Sequence, residues 1–289
     1  MSAAMRLGKL ERRERIIAEL RTNPTVRVAA LARAFGVSTE TVRRDLDALS
    51  DGGLVSRTYG GAALPAIGVE PSLAERQREL TEERERIARR AFELLAPREV
   101  IMVDCGSTTW HFARRLAIEP LPLTVVTNSL GIASTLAANP ALRVVVCPGD
   151  YAAGEGGTFG PDTLDFLRRF HADKAVIGAG GLTVEGPTEV QPDAAWVKRA
   201  MIERARRRIL LVDHSKFDQA RYEVVCPLGD LDDLVTDARP PPALADAIGA
   251  GGVSLHVALP EISATRRSLS VEHEAIPEAR PAAKRLSSC

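Results

Sequence analysis

The stretch GVSTETVRRDLDALSDGGL, from Gly36 to Leu54, constrains the fold of this chain more than any other. Gly36 closes one segment, and Ser38 offers a side-chain oxygen that can cap the next. In the helix that follows, Val42, Leu46 and Leu49 fall at i, i+4 and i+7, so one stripe faces a core. At about 100° per residue, Glu40, Arg43, Arg44 and Asp47 fall on the opposite side. Two adjacent arginines are thereby held outward near the N-terminal half. The arrangement suits a DNA groove, although the stripe alone also describes an amphipathic surface helix with a solvated charged face.

The neighbouring residues shift the balance towards DNA. Val28 to Phe35 (VAALARAF) reads as a short helix with Leu31 and Phe35 one turn apart, ending at a glycine suited to the tight connection of a helix-turn-helix. Glu11 to Leu20 reads as a further helix with Ile16, Ile17 and Leu20 inward and arginines outside. After Leu54, VSRTYGGAAL alternates around a Gly60-Gly61 turn and fits a wing. Three helices and a hairpin make an α+β winged helix-turn-helix over residues 1–64. Across these residues Lys and Arg outnumber Asp and Glu by 11 to 7, while the whole chain has a formal net charge of zero. A neutral total argues against a protein that coats nucleic acid or anionic membrane by bulk charge.

At 289 residues the chain has room for a second, larger module. Residues 65–95 read as a connector: Pro65 to Pro71 (PAIGVEP), then a charged helical run from Leu73 to Leu95 in which Leu80, Ile87, Ala91, Leu94 and Leu95 recur at helical spacing. That run fits either a lever between modules or a solvated helix flanking the second one. From Glu99 the texture changes to apolar strands alternating with helices: Val100 to Val103, Leu123 to Val126, Val144 to Cys147, Ala175 to Ile177, Ile209 to Val212 and Leu234 to Val235. Residues 96–260 therefore read as an α/β domain with a mainly parallel sheet. Ligand sites in such sheets gather at the carboxyl ends of the strands.

Polar and glycine clusters stand at those ends. Asp104-Cys105-Gly106-Ser107-Thr108-Thr109 leads into a helix from Trp110 to Leu116, and a small-residue turn of this kind exposes backbone N–H groups to an anion such as phosphate. No G-K-[ST] follows, so it is not a P-loop. Thr127-Asn128-Ser129, Gly178-Ala179-Gly180-Gly181 and Asp213-His214-Ser215-Lys216-Phe217 follow later strands, and Lys198 on a helix from Ala194 to Arg206 can add positive charge. Four such clusters point to one crevice.

The remaining features set bounds. Cys105, Cys147, Cys226 and Cys289 lie far apart, with no C-x-x-C pair and no histidine at ligand spacing, which predicts reduced thiols, no structural zinc and no cofactor. Residues 1–10 lack a signal-peptide core and no stretch approaches the ~20 apolar residues of a membrane span, so a cytoplasmic protein is expected. Residues 261–289 mix Ser, Pro, Ala and both charge signs without periodicity and read as a disordered tail.

These motifs, in this order, resemble the DeoR family of bacterial transcriptional regulators. Val37, Ser38, Thr41, Arg43, Arg44, Asp45 and Leu46 match the family's reading-helix signature, and Gly53, Leu54, Arg57, Gly60, Gly61 and Ala62 match its wing; Tyr59 stands where the family usually has histidine. The strand-end motifs at Asp104–Thr109, Thr127–Ser129, Gly178–Gly181, Val197–Met201 and Asp213–Phe217 resemble its sensor domain, similar in fold to ribose-5-phosphate isomerase. Two departures stand out: Pro148-Gly149 replaces a glycine pair, and Ala194, Ala195 and Trp196 stand where acidic residues usually precede Lys198.

The resemblance implies a regulator, acting mostly as a repressor of carbohydrate or related genes, that is a homodimer or larger even homo-oligomer on double-stranded operator DNA. Ser38, Thr39, Thr41, Arg43, Arg44 and Arg57 would serve the DNA. Asp104, Gly106, Ser107, Thr108, Thr109, Thr127, Asn128, Ser129, Gly180, Lys198, Asp213 and Lys216 would serve a phosphorylated sugar or similar metabolite. Two other readings compete. An isomerase-like enzyme would use Asp104, Asp213, Lys198 and Lys216, but the acidic glycine-rich motifs of the isomerases are not visible. A redox-responsive regulator would use Cys105, whose place near a helix N-terminus can lower a thiol pKa.

Overall fold

The structure, a computed structural model, describes residues 8–23, 25–51, 55–58, 60–63 and 70–260. Gly53, Leu54, Tyr59, Leu64, the connector up to Val69 and residues 261–289 lie outside the described residues.

The N-terminal module runs α1 (Lys9–Thr22), β1 (Thr25–Arg27), α2 (Val28–Phe35), α3 (Thr39–Asp51), β2 (Ser56–Thr58) and β3 (Gly61–Ala63). Gly36 ends α2 in the left-handed region at φ 63°, which costs glycine little. The Thr41 N–H then donates to Ser38 Oγ at 3.1 Å, so Ser38 caps α3 as its position implies. Ile16, Leu20, Leu31, Val42, Leu46 and Leu49 share one core with Val55 and Ala62 of the wing. The wing strands β2 and β3 pair antiparallel, and β1 adds a third strand against β3. Gly61 lies so close to β1 that a Cβ there would meet the Val26 carbonyl oxygen at 1.9 Å. β1 escapes sequence reading because it is three residues long and runs straight into α2.

Asp45 and Arg12 are buried charged residues of this module. The Asp45 carboxylate accepts from Arg12 Nε and, at 3.2 Å, from Arg13 Nε, tying α3 to α1.

The second half opens with α4 (Leu73–Arg76) and α5 (Thr81–Phe92). The charged run is thus two helices rather than one. Leu80 turns into the left-handed region at φ 49°, and the Arg84 guanidinium takes the Arg76 carbonyl that a continuing helix would use. α5 buries Ile87, Ala88 and Ala91 against Ile101, Phe112 and Leu116, so it flanks the sheet.

The chain then alternates β4 (Val100–Val103), α6 (Ser107–Ile118), β5 (Leu123–Thr127), α7 (Leu130–Leu136) and β6 (Leu142–Val146). A hairpin follows, β7 (Asp150–Ala152) and β8 (Gly157–Phe159), then α8 (Pro161–Arg168) and β9 (Ala172–Ile177). The short strands β10 (Gly181–Leu182) and β11 (Pro187–Glu189) precede α9 (Pro192–Arg204) and β12 (Ala205–Leu211). β13 (Glu223–Val224), β14 (Asp233–Thr236), α10 (Pro242–Ala250) and β15 (Ser254–Val257) complete the described chain.

Seven strands form a parallel sheet in the order β15-β14-β12-β9-β4-β5-β6. Alternation along each central strand fills both faces: Ile101, Val103, Val176, Ile209 and Leu211 pack with α5 and α6, while Met102, Ala175, Ile177 and Leu210 pack with α9 and α10. Six of the seven strands stand where the apolar runs predict them. The seventh, β15, is a half-exposed edge without a continuous apolar run. The hairpin β7–β8 and the small antiparallel sheet β10-β11-β13 have strands of two or three residues, too short for periodicity to mark.

The sheet order reverses between β4 and β9, so their carboxyl ends diverge into a crevice. No described helix is long and apolar enough to cross a membrane.

The buried Asp45 pair yields a stability test. Asp45→Ala leaves two guanidinium groups at the α1–α3 contact without their carboxylate, and breaking such a pair costs about 3 kcal/mol or more. Urea unfolding followed by circular dichroism is expected to show an earlier N-terminal transition. A wild-type midpoint would mean that the pair contributes nothing.

Candidate functional site

Two sites emerge from the geometry, the first on α3 and the wing. Thr39, Arg43 and Arg44 are exposed and Thr41 is half-buried, as the helical wheel requires. Arg44 Nε donates to Glu40 at 3.3 Å, Arg43 stands 4.0 Å from the same carboxylate, and Ser38 and Thr41 share a hydroxyl contact at 2.8 Å. Arg57 on β2 reaches Asp47 of α3 at 3.5 Å, which brings the wing arginine beside the helix. Exposed pairs of this kind contribute about 0.2–0.5 kcal/mol each, too little to hold a guanidinium against a phosphate or a guanine.

The second site is the crevice at the strand ends. Cys105, Gly106, Ser107 and Thr108 line it after β4, Gly178 and Ala179 after β9, and Lys216 after β12. Glu189, Ala194 and Lys198 form another wall, and Arg76 of α4 and Glu155 of the β7–β8 turn meet across the mouth. The free volume is about 20 Å³, room for about one water and none for a sugar.

Its floor is an ion network. Lys198 Nζ bonds Asp104 and lies 3.2 Å from Glu189, all three side chains being under a tenth exposed. The Asp104 carboxylate also accepts the Gly178 N–H at 3.2 Å, joining the ends of β4 and β9. Burial opposes the Lys198 charge, but Asp104 and then Glu189 outweigh it and raise its pKa above the ordinary lysine value. Burial raises the Glu189 pKa, and Lys198 offsets this only in part. Asp213 is fully buried against Arg84 at 3.0 Å; burial raises its pKa, but Arg84, then Lys216 and Ser215, bring it below the usual carboxylate range.

Of the residues singled out by sequence, Gly106, Ser107, Thr108, Lys198 and Lys216 face the crevice. The others hold its frame. Thr109 Oγ1 donates to the Asp104 carbonyl, Thr127 Oγ1 accepts the Ser129 N–H, and Ser129 caps α7. Asn128 joins Cys105 N–H to the Thr158 carbonyl, and Gly180 N–H donates to Glu189. Sequence reading missed Glu70, Arg76, Arg84, Glu155 and Glu189. The arginines sit in a run of alternating charges where nothing distinguishes a buried one, whereas the glycine-rich loop from Tyr151 to Gly160 does flag the turn carrying Glu155. A larger open groove of about 440 Å³ runs along α5 and α6, lined by Glu85, Arg89, His111, Arg114 and Ile118.

The thiol reading fails here. Cys105 is 6% exposed, and burial, only partly countered by Lys198, pushes its pKa up to about 12. Burial outweighs both the helix N-terminus and Lys198 because the hairpin covers the sulfur: a Cβ on Gly157 would meet Cys105 Sγ at 2.7 Å.

A winged helix-turn-helix followed by an α/β domain with a polar crevice at its strand ends defines a DNA-binding regulator with a sensor domain. Residues 12–67 match the DeoR-like helix-turn-helix domain and residues 79–238 the DeoR C terminal sensor domain. The chain belongs to the DeoR family. The glycerol-3-phosphate regulon repressor of Escherichia coli (strain K12) is 34% identical to it over 81% of this chain and 93% of that protein. The transcriptional repressor GlcR of Bacillus subtilis (strain 168) is 30% identical over 86% and 95%. The L-fucose operon activator of Haemophilus influenzae is 32% identical over 74% and 86%. Among solved structures, ribose 5-phosphate isomerase A from Methanocaldococcus jannaschii aligns over 47% of this chain and 54% of its own, at 20% identity and a TM-score of 0.35. The protein is a transcriptional regulator rather than an enzyme.

Because its sulfur is buried and its pKa raised, Cys105 should resist iodoacetamide in the native protein at pH 7.5 and react after denaturation. Peptide mass mapping reads both states, and rapid native alkylation would reinstate the redox reading.

Proposed function

We propose that this protein is a repressor of genes for phosphorylated-sugar or related metabolism, and that a phosphorylated metabolite in the strand-end crevice sets its operator affinity. The observation that carries this is the crevice itself: polar groups from three strand ends and an α6 N-terminus converge beside Lys216 and Arg76. Two relatives bear names that point the same way, one a glycerol-3-phosphate regulon repressor and one a putative aga operon repressor. Ala194 lines the crevice where the family usually has an acidic residue, which fits an effector with fewer hydroxyl groups to hold.

On DNA, α3 lies in the major groove with Thr39, Thr41, Arg43 and Arg44 on bases and phosphates, Ser38 at its cap, and Arg57 on backbone or minor groove. A homodimer or larger even assembly presents two readers, so the operator carries repeated half-sites. Effector binding couples to DNA by about 1–3 kcal/mol, with release as the expected direction. Gly106, Ser107, Thr108, Lys198 and Lys216 line the effector site; Asp104, Thr109, Thr127, Asn128, Ser129, Gly180 and Asp213 hold its shape.

The test is fluorescence anisotropy of DNA from upstream of the protein's own gene, against scrambled DNA, with a panel of phosphorylated compounds headed by glycerol 3-phosphate. Specific binding relieved by one compound supports the proposal; specific binding indifferent to all of them removes the phosphorylated effector. In the same assay Arg44→Ala is expected to weaken operator binding by about 1–3 kcal/mol while leaving thermal stability unchanged, and unchanged affinity would take Arg44 off the reading face.

A further inference from the structure

Two of the cations that line the crevice, Lys216 and Arg76, are paired with a carboxylate from outside its lining, Glu70. Glu70 stands only six residues after Leu64, at the end of the segment leading from the wing, yet its side chain is 6% exposed. Its carboxylate lies 2.9 Å from Lys216 Nζ and 3.4 Å from Arg76 Nη1. Arg221 adds to the positive field, its Nε donating to the Gly180 carbonyl at 3.1 Å. Burial works against the Glu70 charge, but Lys216, then Arg76 and Arg221, hold its pKa below the usual carboxylate range. Glu70 is therefore an ionised carboxylate in a cationic pocket.

The segment carrying it is fastened across the mouth. The Leu73 N–H donates to the Gly154 carbonyl of the β7–β8 turn at 3.2 Å, and the Leu73 side chain lies where a Cβ on Gly156 would meet it at 2.6 Å. Arg76 Nε donates to the Pro71 carbonyl at 3.0 Å, and Arg76 Nη2 reaches Glu155 at 2.6 Å. Arg76 itself is anchored separately, because the buried Arg84 bonds its carbonyl and Asp213 together. Two parts are thus distinguishable: a fixed cationic cradle of Arg76 and Lys216, and a strap, Glu70–Leu73, held on it by charge. With about 20 Å³ free, nothing of sugar size enters unless the strap or the turn gives way.

We propose that Glu70 is an internal competitor for the anion subsite formed by Arg76 and Lys216, and that the phosphate group of the effector displaces it and lifts the strap. This rests on the reading above that a phosphorylated metabolite binds the crevice. Exchange of Glu70 for the phosphate group, which carries about −1.5 to −2 at pH 7, keeps an anion on the two cations, whereas adding it without releasing Glu70 would leave like charges in contact. The strap is also the chain's route to the DNA reader, so its release is the step at which occupancy becomes a change at the operator. Nothing but residues 64–69 separates Glu70 from the last wing strand.

The experiment uses the full-length protein and inorganic phosphate, which carries the group the proposal concerns whatever the rest of the effector is. Isothermal titration calorimetry should give Glu70→Gln at least tenfold tighter phosphate binding than wild type, and Lys216→Met at least tenfold weaker. The Glu70→Gln protein without ligand should also bind operator with an affinity shifted towards that of the effector-bound wild type. Equal or weaker phosphate binding by a folded Glu70→Gln protein overturns the displacement. If that happens while a phosphorylated compound still relieves operator binding, the proposed function stands and only the competitor falls. If neither protein binds phosphate and no phosphorylated compound acts, both fall. Wild-type hydrogen exchange provides a second measurement that needs no variant: saturating phosphate should increase deuterium uptake at Leu73 and its neighbours, and added protection there would also overturn the proposal.

Discussion

Lys198 carries its ammonium into the middle of the sensor domain at 3% exposure, between Asp104 at the end of β4 and Glu189 at the end of β11. A charge placed there without partners would cost several kcal/mol, so the two carboxylates and the Gly178 N–H are requirements of the fold as much as of any ligand. Through them α9, the turn after β4 and the turn after β9 meet at the point where strand order reverses. The crevice has its position because this network does. Small residues around it follow from the same cause: Gly157 and Gly181 pack too closely on their neighbours to admit a Cβ, and Ser and Thr hydroxyls satisfy backbone groups that no helix or strand takes up.

The N-terminal module applies the same division between buried and exposed charge. Asp45 and Arg12 are withdrawn from water, Arg13 partly so, and together they hold α1 against α3. Arg43 and Arg44, two residues and one residue earlier in the chain, lie in solvent and pair with Glu40. The two sets differ in burial, and with it in how tightly their partners are held. A desolvated pair is costly to break and serves structure, whereas a hydrated pair exchanges partners for a few tenths of a kcal/mol and leaves its cations available to a polyanion.

Arg84 connects the two halves of this logic in the sensor. It is almost completely buried within a helix that otherwise looks solvated, and it bonds both the end of α4 and Asp213 at the end of β12. The result is that Glu70, Pro71 and Arg76 are built into the rim of the crevice. A sensor and a reader joined by a freely solvated linker would have no mechanical reason to report on each other; here the route between them crosses the site.

Much of this was legible in residue order. Apolar positions at helical spacing mark α2 and α3, Gly36 and Ser38 mark the turn between them, and continuous apolar runs mark six of the seven sheet strands. Three of the four strand-end motifs contribute residues to the crevice lining, after β4, β9 and β12, while the one after β5 braces the frame. What periodicity could not show was which charges are buried. Arg76 and Arg84 sit among exposed arginines and glutamates of the same run, and Glu70 precedes them in a proline-bearing connector. The sequence by itself determined the helix-turn-helix pattern, the outward arginines of its second helix and the polar turns at the strand ends, since these depend on local pattern. Only the tertiary structure decided that Thr109, Asn128 and Asp213 hold the frame, that Cys105 is sealed, and that Glu70 from one end of a connector meets Lys216 from a strand end far along the chain. Those outcomes turn on burial and on contacts between residues distant in sequence, and neither is encoded in the spacing of any one segment.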